Sequence, residues 1–339
     1  MITLPLPLVS SLILGFLGLR LMLEGARLAW VAGLLAALAL QGVVVTLALH
    51  HDIGWARAVQ PVTAMAVPAL AWLAWKACAL GQSPRRRDLA HGLGPLAAVV
   101  LRAAGSWGLE ALVPLAFAGY ALALAVSLWR SGPDLPRARL GQGGVPQLVW
   151  AGIAAALALS ALSDLAIAAT IALGHRAHVL AIVDLSTAAL IFGTGLLALA
   201  VGHVTGAAEE PAPHGAPAAA PPAPTEDDHA LYARLEALME ERRPWRDPDL
   251  TLAQLARRLS VPAKRLSVAV NLVTGDNISR LVNGWRVRAA CDALRDGASV
   301  TEAMLDAGFV TKSNFNREFL RVTGQTPTAW RKASGETAP

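Results

Sequence analysis

Two sets of residues in this 339-residue chain carry chemistry that their neighbours do not account for. The first is Asp164 and Asp184, each standing inside a long apolar run with hydroxyls close by (Ser160 and Ser163; Ser186 and Thr187). A carboxylate in hydrocarbon is costly, so such a group faces the interior of a helix bundle or a wet cavity. His50, His51 and Asp52 follow the second apolar run, and His175 and His178 lie between the last two. Asp164, Asp184, His50, His51, His175 and His178 are therefore candidates for a pocket that senses a ligand, a proton or a metal. The alternative is that the histidines are solvated loop residues and the aspartates join helices by hydrogen bonds. His-x-x-His without further ligands does not define a metal site, and none is assigned. The second set lies near the C-terminus, where Lys312, Ser313, Asn316, Arg317 and Arg321 interleave with Phe315, Phe319 and Val322. If the three apolar residues bury one helix face, Ser313, Asn316 and Arg317 point the other way. Arginine can bond guanine O6 and N7, and asparagine adenine N6 and N7. Lys312 and Arg321, flanking that face, suit phosphates.

The elements that hold these residues follow from composition. The chain is 55% hydrophobic and only 16% charged, against about 45–50% and about 25% in soluble domains. That excludes one soluble domain and disorder throughout. Two cysteines, Cys78 and Cys291, exclude a disulfide scaffold, and both read as packing residues. Seven apolar segments are long enough to cross a hydrocarbon core: 3–23, 29–49, 60–80, 89–105, 109–129, 147–173 and 179–201. The fourth is the shortest, with Arg102 near its end. With the N-terminus outside, the inner loops carry Arg20, Arg27, Lys76, Arg85, Arg86, Arg87, Arg130, Arg137 and Arg139. The outer ones carry only Arg57, Arg102 and Arg176. The positive-inside bias thus predicts a cytoplasmic C-terminus, and tryptophans near both boundaries agree. Gly15-x-x-Gly18 is a weak hint of close helix packing.

Residues 1–228 hold 12 Lys and Arg against 12 Asp and Glu, so the net charge of +5 sits wholly in 229–339. A neutral apolar part joined to a basic polar part implies a membrane domain followed by a domain that meets an anionic partner. Between them, 202–228 is rich in proline and alanine and has no apolar period. Extended at about 3.1 Å per residue it spans roughly 80 Å. A tether of that kind is too loose to pass on a rigid motion, which favours signalling through oligomeric state and effective concentration.

From Ala230 the apolar period is helical: Leu231, Leu235 and Leu238; then Leu252, Leu255, Ala256 and Leu259; then the Phe315 stripe. Thr251-Leu-Ala-Gln254 and Ser299-Val-Thr-Glu302 both fit a capping box. Each precedes a short helix, a break and a second amphipathic helix, which predicts two helix-turn-helix units joined by a long helix at Ser279–Arg295. The stretch Gly308-Phe309-x-x-x-Ser313-x-Phe315-x-x-x-Phe319-x-x-x-x-Gly324-x-x-Pro327 resembles the C-terminal signature of AraC/XylS-type transcription regulators. Leu252-Ala-Gln-Leu255-Ala256-x-x-Leu259-Ser-Val-Pro262-x-x-Leu266-Ser267, with Gly275 and Arg286, is similar to the first half of that domain. The resemblance covers about 247–332. It implies two recognition helices entering successive major grooves, with Lys264, Ser267, Val268 and Asn271 in the first. Val268 and Asn271 depart from the basic residues usual there, and Val268 is placed to touch a thymine methyl.

The sequence thus predicts an all-α chain: a seven-helix transmembrane bundle (1–201), a Pro/Ala-rich linker (202–228) and a DNA-binding domain (229–339) with two helix-turn-helix units. The expected function is a membrane-embedded one-component transcription regulator in a bacterial inner membrane. Its expected partners are double-stranded promoter DNA, RNA polymerase, an unknown small ligand and a second copy of the chain. No Gly-rich phosphate loop, zinc-protease motif or nucleophile elbow occurs, so neither an enzyme nor a cofactor is expected. The alternatives are a transporter or membrane enzyme module with a regulatory DNA-binding tail, and a constitutive regulator whose membrane part is only an anchor.

Overall fold

The structure, a computed structural model, describes residues 5–23, 29–105, 108–131, 135–136, 140, 145–206 and 223–335. The described residues are helical, joined by short turns, as the all-α expectation requires. The chain divides into two compact units. One is Met1–Arg130 with Val149–Ala198; the other is Ser131–Leu148 with Leu199–Pro339.

The first unit contains α1 (Leu6–Leu23), α2 (Ala29–Val45), α3 (Gly54–Ala74), α4 (Leu93–Ala103) and most of α5 (Gly108–Ser131), α6 (Val145–Ala172) and α7 (Val179–Gly206), whose ends at Ser131, Val145–Leu148 and Leu199–Gly206 fall in the second. A wide π turn, Thr46–His50, extends α2, and another, Trp75–Ala79, extends α3. Among the described residues six helices are long and apolar enough to cross a membrane: Leu6–Leu23, Ala29–His50, Gly54–Ala79, Gly108–Ser131, Pro146–Ala172 and Arg176–Leu196. The fourth expected segment departs from this pattern. It forms a 3₁₀ turn at Arg86–Gly92 and then an α4 of only 11 residues, about 16 Å at about 1.5 Å per residue. Polar residues cause the break: Asp88 Oδ2 accepts the Arg85 amide at 2.8 Å, and Lys76 Nζ donates to Asp88 Oδ1 at 2.5 Å.

Small residues bring α1 and α2 together. A Cβ on Gly42 would stand 2.8 Å from the Pro7 carbonyl, and one on Gly18 only 3.3 Å from Leu35 Cβ. Close backbone approach of this kind is how apolar helices associate where water does not drive them together. Leu34, Ala64, Val67, Ala71, Phe117, Ala121, Leu157 and Ala161 join α2, α3, α5 and α6 in one core. Pro61, Pro68 and Pro114 lie within continuous helices.

The second unit contains α8 (Glu226–Arg242), α9 (Leu252–Arg258), α10 (Ala263–Thr274), α11 (Ile278–Arg295), α12 (Val300–Asp306), α13 (Lys312–Thr323) and α14 (Pro327–Gly335). It has two cores. Leu231, Leu235, Met239, Leu252, Leu255, Leu266 and the first half of α11 form one. Val287, Ala290, Cys291, Leu294, Ala303, Phe309, Phe315 and Phe319 form the other. Burial pushes the Cys291 thiol up to about 11, so it stays a protonated packing group.

Two expected boundaries shift. Helix α7 continues to Gly206, and α8 starts at Glu226 behind an unanticipated capping box, Thr225 with Asp228. The ends of the expected 202–228 linker are therefore helical, and 207–222 lies outside the described residues. The linker is also not the only connection into this unit. The α5–α6 connection belongs to it: Ala253 N donates to Pro136 O at 2.9 Å, Leu140 N donates to Leu250 O at 3.0 Å, and Leu140 is a member of the first core.

Candidate nucleic-acid interface

The two halves of the second unit are built alike. Helices α9 and α12 have seven residues each, and both start with the anticipated reciprocal cap, Thr251 with Gln254 and Ser299 with Glu302. Helices α10 and α13 have 12 residues each, and both end on a left-handed glycine, Gly275 (φ +73°) and Gly324 (φ +71°). A left-handed residue at that position satisfies the last carbonyls without a Cβ penalty. Each pair is a helix-turn-helix, and α11, one residue longer than expected, joins them.

The turns differ. In the first, Ser260 adopts φ +57° and is exposed; in the second, Gly308 adopts φ +81°. A Cβ on Gly308 would meet the Arg246 carbonyl oxygen at 2.6 Å and that of Trp245 at 2.7 Å. Those carbonyls belong to the segment that Arg286 holds. Only 1% exposed, Arg286 donates from Nε to Trp245 O at 2.8 Å and from Nη2 to Asp247 O at 2.9 Å. Its guanidinium lies 5.7 Å from the Phe309 ring centroid. Burial draws its pKa down to about 10, partly offset by Asp247, so it remains charged. Arg286 and Gly308 therefore fix one backbone segment from both halves, which gives these two motif residues a structural reason.

On α10, Lys264, Val268 and Asn271 are exposed along one stripe, and Ser267 is half-buried beside it. Leu266, Ala269 and Val270 face the core. On α13, Lys312, Ser313 and Asn316 are exposed, while Phe315 and Phe319 are buried. Two of the expected placements need correction. Arg317 does not point outward: it is 7% exposed, donating to Asn314 Oδ1 at 2.5 Å and to Glu318 Oε1 at 3.4 Å. Helical spacing puts Asn314 one turn back on the same side, and the guanidinium also reaches the adjacent Glu318, so it finds partners within α13. Val322 is not part of the buried face: it is 41% exposed. Arg321 lies at the edge, its Nε donating to Glu318 Oε2 at 2.9 Å and its Nη2 to the Arg280 carbonyl at 3.3 Å. The expected list also missed Leu320, exposed one turn beyond Asn316. It is an apolar side chain outside the Phe315–Phe319 stripe, which was the available signal, and such a side chain suits a thymine methyl.

The candidate sensing residues lie in the first unit. His50 and Asp184 come together: Nε2 and Oδ1 are 3.3 Å apart, bridging the π turn after α2 and α7. The approach has the distance of an ion pair without hydrogen-bond alignment, and His50 Nδ1 and Nε2 and Asp184 Oδ1 are buried atoms. The other candidates do not join the pair. Asp164 is half-buried on α6. His51 is exposed beside Asp52, which pairs with Arg57 at 2.7 Å. His175 and His178 are exposed, with ring centroids 6.1 Å apart. Among the described residues there is no group of three or more His, Cys, Asp or Glu that could hold a metal ion.

Comparison with known families matches residues 255–333 to the helix-turn-helix domain family. This supports an AraC-type DNA-binding domain at the C-terminus. No curated protein and no solved structure matched the chain. The apolar helices of the first unit are compatible with a membrane domain.

Proposed function

We propose that this chain is a membrane-embedded one-component transcription regulator, with its DNA-binding domain and its sensor in one polypeptide. The observation that carries the proposal is the pairing of two exposed recognition-helix faces, on α10 and α13, with six membrane-length helices in the same chain. DNA lies in the cytoplasm, so the second unit must lie there too. The charge pattern agrees if the fourth segment completes a crossing, which puts nine Lys and Arg on the DNA side and three on the other. The N-terminus is then outside a bacterial inner membrane.

In this reading Lys264, Ser267, Val268 and Asn271 address one major groove and Lys312, Ser313 and Asn316 the next, with Arg321 on a phosphate. Arg317 supports α13 from within. His50 and Asp184 form the polar heart of an outward-facing pocket, with Asp164, His51, His175 and His178 around its approach. An ionisable pair in an apolar surrounding is the feature expected of a ligand or proton site. RNA polymerase and a second copy of the chain are its remaining partners.

The test is promoter binding by the full chain in lipid nanodiscs. Binding driven by Lys and Arg on phosphates weakens with salt at a slope of about −0.9 per contact. An affinity indifferent to salt between dilute and physiological buffer would overturn the proposal. Reporter tags beside Arg86 and Arg137 should be cytoplasmic, and tags beside Trp55 and His175 external.

A further inference from the structure

We infer that the α5–α6 connection is a clasp that passes displacements of α5 and α6 to the first helix-turn-helix unit. The inference deepens the regulator reading and rests on it. The attachment is specific. Pro136 supplies its carbonyl to the Ala253 amide and Leu140 gives its amide to the Leu250 carbonyl. Leu140, 2% exposed, is built into the core of α8, α9, α10 and the first half of α11, and Leu135 is buried as well. The Ala253 amide is one of the first-turn N–H groups that a helix cannot satisfy itself, so the clasp completes the N-terminus of α9. Helix α9 is the one against which α10 is set.

Chain length then separates two routes into this unit. From Ser131, the last residue of α5, to Pro136 is five residues, and from Leu140 to Val145, the first of α6, five more. Five residues extend to about 18 Å at most. From Gly206 at the end of α7 to the Thr225 cap of α8 is 19 residues, which extend to about 65 Å. The clasp is therefore the short leash and the linker the long one. A movement of α5 against α6 has five residues on either side to be absorbed in before it reaches Leu250 and Ala253, and these belong to the first helix-turn-helix unit rather than the second. This adds a second route beside the one the tether favours, through oligomeric state and effective concentration.

The test uses the full chain in nanodiscs of short-chain and of long-chain phosphatidylcholine, because bilayer thickness alters helix tilt without any ligand. Hydrogen exchange is followed in segments 133–142, 249–256 and 300–323. In the natural chain, exchange in 249–256 should differ by about tenfold between the two lipids, while 300–323 stays constant. A variant with about six Gly/Ser residues added after Ser131 and again after Gly144 keeps the docking but adds slack. It should retain protection in 249–256 and lose its dependence on lipid. Leu140→Asp should expose 133–142 and 249–256 together, with protection of 300–323 showing that the domain is still folded, and Leu140→Ala should do the same to a smaller extent. A slack variant that responds like the natural chain, a natural chain that does not respond, or a Leu140→Asp chain with unchanged 249–256 would each overturn the clasp. DNA binding by the same natural-chain samples is measured separately. If it is absent, the regulator reading fails, whatever the exchange data say of the clasp.

Discussion

The two helix-turn-helix units share their helix lengths, their reciprocal caps and their terminal glycines, yet they are held in different ways. The first has an exposed serine at the left-handed turn position, a recognition helix with one lysine and an exposed valine, and a core that takes in α8 and Leu140 from outside the motif. The second has a glycine pressed against two carbonyls, a recognition helix stiffened by Asn314, Arg317, Glu318 and Arg321, and a core closed by three phenylalanines and Trp330. The difference teaches that equal secondary structure leaves room for a division of labour. The unit with the poorer polar face has the extra attachments, and the unit with the fixed turn has the richer polar face. In the reading proposed above, coupling is assigned to the first and base readout mainly to the second.

The turn residues offer the largest test of this contrast. Ser260 and Gly308 hold the same kind of backbone conformation, so exchanging them separates strain from contact. Ser260→Gly relieves a left-handed non-glycine residue in open solvent and should stabilise the chain by about 1 kcal/mol. Gly308→Ser acquires that strain and drives a Cβ to within 2.6 Å of the Arg246 carbonyl oxygen. It should cost about 3 kcal/mol or more. Denaturant unfolding of the full chain with hydrogen exchange in 300–323 reads both. Equal effects of the two substitutions would remove the distinction.

Base readout is the next largest. Asn316→Ala should cost about 1–3 kcal/mol of specific binding, whereas Val268→Ala should stay within about 0.5 kcal/mol. Lys312→Ala should weaken all sequences alike and lower the salt slope by about one. Arg317→Ala should reduce thermal stability while leaving the order of preferred sequences intact, because its bonds to Asn314 and Glu318 run along α13. If Arg317→Ala instead relaxes the preference at one base, the guanidinium leaves Asn314 and Glu318 when DNA binds.

Much of this arrangement was legible in the sequence, for physical reasons that also explain the failures. Capping boxes and apolar stripes are local, so Thr251, Ser299 and the two short helix pairs could be read directly. The side taken by Arg317 was not legible from its neighbours' hydrophobicity, since Asn314 and Glu318 compete with solvent for the same guanidinium. The fourth apolar segment reads as one continuous helix, but Asp88, bonded to Lys76 and the Arg85 amide, starts it as a 3₁₀ turn that leaves α4 short. The pairing of His50 with Asp184 was anticipated as a cluster, but only the fold singles it out from the other four candidates. The clasp was invisible, because two leucines five residues apart in a loop of prolines, glycines and arginines have no periodicity to betray their burial.

The smallest expected effect distinguishes the units by acid. Both have a carboxylate reaching back to its own helix cap, Asp228 on α8 and Glu302 on α12. The Thr225 hydroxyl and amide, joined by Arg265 of α10, hold the Asp228 carboxyl down at about 2, whereas Glu302 is lowered by the Ser299 amide and hydroxyl alone. A carboxyl whose folded pKa lies below its unfolded value stabilises the fold fully above the unfolded value, near about 4. That contribution is lost as the pH falls towards the folded one. Between about pH 4 and pH 2 the first unit should therefore lose its α8–α10 tie, and Asp228→Asn should remove that acid dependence. Glu302→Gln should shift the second unit less, since the exposed Glu302 makes no bond to another helix. Hydrogen exchange in 226–242 against 300–323 along an acid titration measures both. Loss of protection in the two segments at the same pH, in the natural chain and in Asp228→Asn alike, would show that the Arg265–Asp228 bridge does not set the first unit apart.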